Sequence, residues 1–466
     1  TWPELPLSCF FGEMRLEHYG AISLIPTAVV LVLAIMSHRT IESVIAGSIV
    51  AFIITDQFNF LAALSGAMLT VMQDENTGWV LLVCGLYGSF IALLVRAGGA
   101  QAFGNIVSSR VQSKRGSLLW TWVLGLVIFL DDYLNSLTVS SSMKKVTDKY
   151  NTSREMLSYV VDSTAAPICL IIPISTWAVY FAGLLEKNGV AAEGQGLDIF
   201  IQSIPYMFYP FVAVLMVPLV IMGVIPLIGS MKTAEHRAET TGQVIPTGSE
   251  NIEIADTYTA KEGQTPSSAL FFVPIIVLIA FTIMFDIDLL MGVIAGILAT
   301  LIQYRLAGAL TLTEMFETMM DGLKTMLPVL VILVSVFTLI EANDAVGFTS
   351  YVIESVAPLM TAQMLPVITF ITMAFISFTT GSNWGVFAIA IPVVFPLAAQ
   401  LDVSTPLMAG ALFSASGFGS QACFYSDSTV LTAQGSGCGS YEHAMSQLPY
   451  ALIAATISAI GFLLIG

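Results

Sequence analysis

Two copies of the triplet Asp-Ser-Thr, at Asp162-Ser163-Thr164 and Asp427-Ser428-Thr429, lie inside strongly apolar sequence. Two further polar groups do the same: Asp131, Asp132, Asn135 and Ser136 in one, Ser382, Asn383 and Trp384 in the other. Ionisable side chains at membrane depth are costly to bury and by default mark function. A carboxylate beside hydroxyls and carbonyls freed by a helix break offers the oxygen ligands that Na⁺ prefers. Desolvation favours the neutral form of the same carboxylate, so a proton can take the ion's place. Competition of Na⁺ and H⁺ for one carboxylate is sufficient for their exchange. The plainer role for each triplet, an N-cap on the second half of a broken helix, leaves it at the same spot.

Asp131 and Asp132 are neighbours, so on a helix they cannot both point the same way. Either can face a cavity while the other serves hairpin packing or caps the returning helix at Asn135 or Ser136. The amides and hydroxyls of Asn135, Ser136, Ser382 and Asn383 can bind ion or substrate, or satisfy unwound backbone. Trp177 and Trp384 suit a cavity wall, with packing against lipid or core the more ordinary role. Ser420, Gln421, Cys423 and Tyr425 precede the second triplet as candidate lining, while His443 falls near a cytoplasmic loop and reads as ordinary. No Lys or Arg accompanies these positions. A carboxylate substrate would depend on half-helix N-termini for positive field, so the site suits a cation better.

The elements that hold these residues must be membrane helices. The chain has 466 residues, 56% hydrophobic and 10% charged, with mean hydropathy +0.85. Soluble domains carry about 25% charged residues, so the composition predicts an all-α polytopic membrane protein. A net charge of −16 argues against nucleic acid and against docking to anionic lipid. The five scattered cysteines form neither a disulfide framework nor a metal motif. No cofactor is implied beyond Na⁺ and H⁺ as coupling ions. An intramembrane hydrolase is disfavoured because the paired Asp residues lack a Gly-x-Gly-Asp signature.

Residues 1–19 lack the apolar core of a signal peptide and are expected to be extracytoplasmic. Basic residues place the loops that follow: Arg39, Arg96, Lys114, Arg115, Lys144 and Arg154 mark the cytoplasmic side. Within the first half, 20–230, the segment 117–143 has basic residues at both ends. Its apolar part is about 14 residues, roughly 21 Å of helix against a ~30 Å hydrocarbon core. It is therefore predicted as a re-entrant hairpin with its polar tip near mid-membrane. Residues 155–185 read as a helix broken at Asp162–Pro167 and again at Pro173. Residues 231–266 read as a flexible cytoplasmic linker. The second half, 267–466, replays the first roughly 250 residues further on, as inverted-repeat transporters do. Stretch 311–324 answers the interfacial 58–72, and 327–341 answers 78–95. Segment 363–399 is the second hairpin, 405–433 the second broken helix, and 447–466 the last span. No Lys or Arg follows Lys324, so the second hairpin should enter from outside. About 11 membrane-spanning segments in two inverted repeats follow, the pattern of a secondary transporter.

Three stretches carry a family resemblance: FLDDYLNSLTVSSSMKKVTDKY (129–150), VDSTAAPICLIIPISTWAVY (161–180) and QLPYAL (447–452). The chain resembles the NhaC-type sodium/proton antiporter family of the ion transporter superfamily. The resemblance implies a homodimer in a bacterial-type inner membrane, with a scaffold and an elevator-type mobile domain. It implies ion coupling at Asn135, Ser136, Asp162, Ser163, Thr164, Ser382, Asn383, Asp427, Ser428 and Thr429. Na⁺ itself would lie at Asn135, Asp162, Ser163, Thr164, Asn383 and Asp427. One departure stands out: many relatives read Gly-Asp-His where this chain reads Gly419-Ser420-Gln421. Two functions remain open, Na⁺/H⁺ antiport and ion-coupled exchange of a small organic solute such as an amino acid, amine, or hydroxy or dicarboxylic acid. A passive channel would differ from both in showing flux without coupling.

Overall fold

The computed structural model describes residues 18–37, 39–99, 102–103, 106, 111–129, 131–250, 252, 267–285, 288–356, 358, 361–381, 383 and 385–466. Every regular element among them is helical. Five of these helices are long and apolar enough to cross a bilayer, or up to seven when each sharply bent pair counts as one span. Residues 1–17, and with them nearly all of the expected extracytoplasmic segment, lie outside the described residues.

Glu75–Arg96 and Leu312–Ala345 pack closely along their lengths, and glycine permits it. A Cβ built on Gly322 would lie 2.3 Å from the Gly88 carbonyl oxygen. Gly322→Ala is expected to cost about 1–3 kcal/mol by overpacking, which thermal unfolding in detergent would record as a lowered melting temperature. Leu312–Ala345 also differs from expectation. The interfacial stretch 311–324 and the span 327–341 are one helix of 34 residues. A capping box between Thr311 and Glu314 starts it, and the first glycine with left-handed backbone after it is Gly347 (φ 68°). Pro328 removes one donor inside the helix without ending it.

The first hairpin is built from Lys114–Val127 and Asp132–Asp148. Its two open ends meet: the Tyr150 hydroxyl donates to the Val111 carbonyl (2.7 Å) and Lys114 Nζ to the Asn151 carbonyl (3.4 Å). Its tip is the unwound stretch before Asp132. The second hairpin pairs Leu365–Thr380 with Gly385–Gln400, and Gly381 closes the first arm in the left-handed conformation (φ 71°), which favours glycine.

The first broken span runs Arg154–Asp162, Ala166–Ile171, then Thr176–Lys187, with a bend of 43° before the last piece. Pro167 opens the second piece near its N-terminus, where its missing N–H costs nothing. The second broken span runs Thr405–Ala422 and Asp427–Ser436. The two triplets are therefore out of register. Asp162 ends the half-helix before its break, whereas Asp427 begins the half-helix after its break. Ser426 supplies the cap there, its hydroxyl accepting from Thr429 N at 3.3 Å. Neither aspartate is the N-cap that the sequence suggested.

The expected linker begins as a docked helix, Gly229–Thr241, rather than a loose tether. Lys114 pairs with its buried Glu235, and Arg237 holds Glu155 through two bonds of 3.0 and 2.8 Å. Arg154 N donates to the Val244 carbonyl at 3.0 Å. Buried side chains Met231, Ala234 and Ala238 at spacings of three and four explain the docking. The last helix, Ser440–Ile465, starts nearly two turns earlier than the predicted 447–466. That shift carries His443 into the interior.

Two apolar cores flank the site. One gathers Trp177, Phe181, Phe387 and Phe413 around the broken spans, and the other gathers Tyr87, Phe90, Met326 and Leu333 under the long helices. Tyr133, Leu134 and Tyr425 belong to the second core and Trp177 and Ala422 to the first. The polar residues sit along the seam.

Candidate functional site

Both helix breaks and both hairpin tips converge on two buried carboxylates. Asp162 Oδ1 accepts from the Ser428 hydroxyl (2.6 Å) and more distantly from Thr432 (3.5 Å). Its Oδ2 accepts from Gln447 Nε2 (2.7 Å), and His443 Nε2 lies 3.4 Å away. Asp427 Oδ2 accepts from the Tyr133 hydroxyl (2.5 Å), and its Oδ1 from Asn383 Nδ2 (2.7 Å) and Ser428 N (2.8 Å). Ser428 thus joins the two centres, its backbone on Asp427 and its side chain on Asp162. Asp162 is fully buried and Asp427 nearly so. Neither forms an ion pair with Lys or Arg among the described residues. Charge here is answered by donors alone.

The remaining first-hairpin residues divide their roles. Asp131 is the cap of Asp132–Asp148, its Oδ1 accepting from Tyr133 N (2.9 Å) and Leu134 N (3.0 Å). Its Oδ2 accepts from the Thr176 hydroxyl at 2.9 Å. Asp132 Oδ1 accepts from Trp177 Nε1 at 3.0 Å, while its Oδ2 is buried without a partner. Trp177 is wholly buried and serves the core as well as this carboxylate. Asn135 points its amide nitrogen at three carbonyls, those of Gly125 (2.7 Å), Ile128 (2.6 Å) and Thr164 (3.1 Å), and leaves Oδ1 unpartnered. The Gly125 backbone must approach closely for this, since a Cβ there would lie 2.1 Å from Thr164 Oγ1. Ser136 Oγ accepts from the Thr432 hydroxyl at 2.9 Å.

Other expected residues serve the breaks. The Thr164 hydroxyl donates to Val160 and Val161 carbonyls (3.0 Å each), so only its own carbonyl faces the tip. Thr429 donates to the Ser420 carbonyl at 3.0 Å, closing the second break. Ser163 Oγ accepts from Gln421 Nε2 (2.5 Å), whose Oε1 accepts from the Tyr209 hydroxyl (2.6 Å). The Tyr425 hydroxyl donates to the Thr379 carbonyl (2.5 Å) and braces the second hairpin. Ser382 and Trp384 lie outside the described residues.

Sequence reasoning missed Tyr133, Tyr209, His443 and Gln447. His443 is corrected here: it is fully buried and faces Asp162. The available signal was its spacing, because His443 and Gln447 sit four apart and share one helix face. The polar stretch 437–446 hid it by reading as a loop.

A cavity of about 870 Å³ opens between Arg39, Glu42 and Lys324 and extends to Val430 and Gln434. Those last two stand on the half-helix that starts at Asp427. The cavity thus reaches the half-helix of the second centre from the side that carries Arg39 and Lys324.

Several known proteins are similar to this chain. The chain is 28% identical over 483 residues to an uncharacterized protein of Haemophilus influenzae, covering 95% of this chain and 90% of that one. It is 27% identical over 189 residues, 40% of each chain, to the malate-2H⁺/Na⁺-lactate antiporter of Bacillus subtilis. Among solved structures, the Alcanivorax borkumensis YdaH transporter matches at TM-score 0.42 and 10% identity over 88% of each chain. MtrF of Neisseria gonorrhoeae matches at TM-score 0.37 and 13% identity, over 88% of this chain and 84% of that one. With its apolar helices, the chain is a multi-pass membrane protein of the secondary-transporter class. The model of the Na⁺/H⁺ antiporter family matches residues 190–466, more than half of the sequence, and the chain belongs to that family.

Proposed function

We propose that this protein exchanges Na⁺ for H⁺, with the two ions competing at Asp162 and Asp427. The observation that carries the reading is the pair of buried carboxylates joined by Ser428, with no Lys or Arg paired to them among the described residues and only the imidazole of His443 beside Asp162. A buried charge without a counter-charge is strongly disfavoured, so each carboxylate calls for a bound cation or a proton. Ser428 gives the two centres a shared element, because moving its half-helix changes both shells at once. By the family likeness, the working form is a homodimer in a bacterial-type inner membrane, and the halves move as an elevator.

A second reading, ion-coupled exchange of a small hydroxy acid, draws on the similarity to the malate/lactate antiporter. The neutral Ser420 adds to it, since an acid there would repel an anionic substrate.

Reconstituted vesicles with an imposed pH gradient test the reading. Added Na⁺ is expected to dissipate the gradient, and lower pH should raise the Na⁺ concentration needed for half-maximal exchange. A gradient that collapses only when malate or lactate accompanies Na⁺ would select the second reading. Sodium uptake indifferent to the pH gradient would reject the first.

A further inference from the structure

A primary amide has one end that only donates and one that only accepts. Gln447, fully buried on the last helix, turns its donor end to two acceptors: Asp162 Oδ2 at 2.7 Å and the Gln421 carbonyl. Its acceptor end, Oε1, is buried with no hydrogen-bond partner. That is a costly orientation, since an unsatisfied buried carbonyl forfeits its hydration without recompense. The opposite orientation would bring three oxygens together, Asp162 Oδ2, the Gln421 carbonyl and Gln447 Oε1. Three such oxygens repel one another unless a cation lies among them, and hard oxygen ligands of this kind suit Na⁺.

We propose that the Gln447 amide is the reversible ligand of a monovalent-cation site formed with Asp162 Oδ2 and the Gln421 carbonyl. Its nitrogen fills the cation's place in the closed arrangement. A half-turn of the amide exchanges filler for ligand, and the unpartnered oxygen gains the cation as its partner. Asn135 repeats the pattern at the first hairpin tip, with its nitrogen among three carbonyls and its oxygen unpartnered. Because a single amide cannot present both ends, an empty site is held shut by hydrogen bonds and a filled one by coordination. Gln421 contributes its backbone oxygen, so the Gln in place of an imidazole at that position leaves this ligand in place.

The inference rests on the Na⁺-coupled reading, and equilibrium binding of radioactive Na⁺ to the purified full-length protein separates the two. Gln447→Met keeps the length and removes the amide; Gln447→Glu keeps an acceptor oxygen and removes the donor. Wild-type binding is expected, weakened about tenfold or more in Gln447→Met and at least retained in Gln447→Glu. Binding within about twofold of wild type in folded Gln447→Met would overturn the inference and leave sodium coupling standing. Folded Gln447→Glu as weak as Gln447→Met would overturn it too, because the nitrogen's donation would then be what matters. Should Gln447→Met fail to fold, the Gln447→Glu arm decides by its own retention or loss. A wild type that binds no Na⁺ would overturn both the inference and the coupling.

Discussion

Asp162→Asn is expected to reduce Na⁺/H⁺ exchange at least ~100-fold in proteoliposomes, about 3 kcal/mol of lost ion stabilisation. The protein should remain folded. The shell around Asp162 consists of the Ser428 and Thr432 hydroxyls, the Gln447 amide and His443. A hydroxyl can reverse its role and an amide can turn over, so a neutral Asn finds partners where a charge has been removed. What cannot be replaced is the negative charge itself, for no other carboxylate belongs to that shell. Loss of exchange with unchanged size-exclusion behaviour and melting temperature is the expected pair of results. Exchange near the wild-type rate would remove Asp162 from the coupling site.

Asp427→Asn should also abolish coupling, with a larger structural cost. Asp427 receives three donors on two oxygens, from Tyr133, Asn383 and Ser428 N. The backbone N–H of Ser428 cannot reverse. The Asn oxygen must therefore stay with Ser428 and Asn383, and its nitrogen then confronts the Tyr133 hydroxyl, which can rotate to accept. Exchange of a charge-assisted bond for a neutral one costs about 1–2 kcal/mol here. Tyr133→Phe is the control, because it deletes the same bond and leaves the carboxylate. If Tyr133→Phe lost exchange as fully as Asp427→Asn, the phenol rather than the carboxylate would be carrying the ion step.

Much of the site was legible because polar residues inside apolar sequence are so costly that their presence is informative by itself. Asp162, Ser428, Asn383 and Asp427 all lie in the cluster, and the hairpin between Lys114 and Lys149 follows from basic residues at both of its ends. Other features escaped for identifiable reasons. His443 was hidden because helix starts depend on capping and tertiary cover, not on apolar pattern alone. Leu312–Ala345 looked like two pieces because 311–324 answers the interfacial 58–72 and 327–341 answers 78–95, yet packing against Glu75–Arg96 holds it as one. The linker helix looked mobile because it is polar overall, while its small apolar face and its ion pairs with Lys114 and Glu155 dock it.

Sequence alone settled that the chain is a helical membrane protein with acidic residues at broken helices, since periodic apolar length and isolated charge are local properties. Tertiary structure alone decided which group meets which. The two Asp-Ser-Thr triplets look equivalent in sequence, but one ends its half-helix and the other begins its own. That difference in register lets Ser428 touch both aspartates and puts Gln447 and His443 on Asp162. Contacts across 266 and 285 residues of chain depend on how helices pack, which no local pattern encodes.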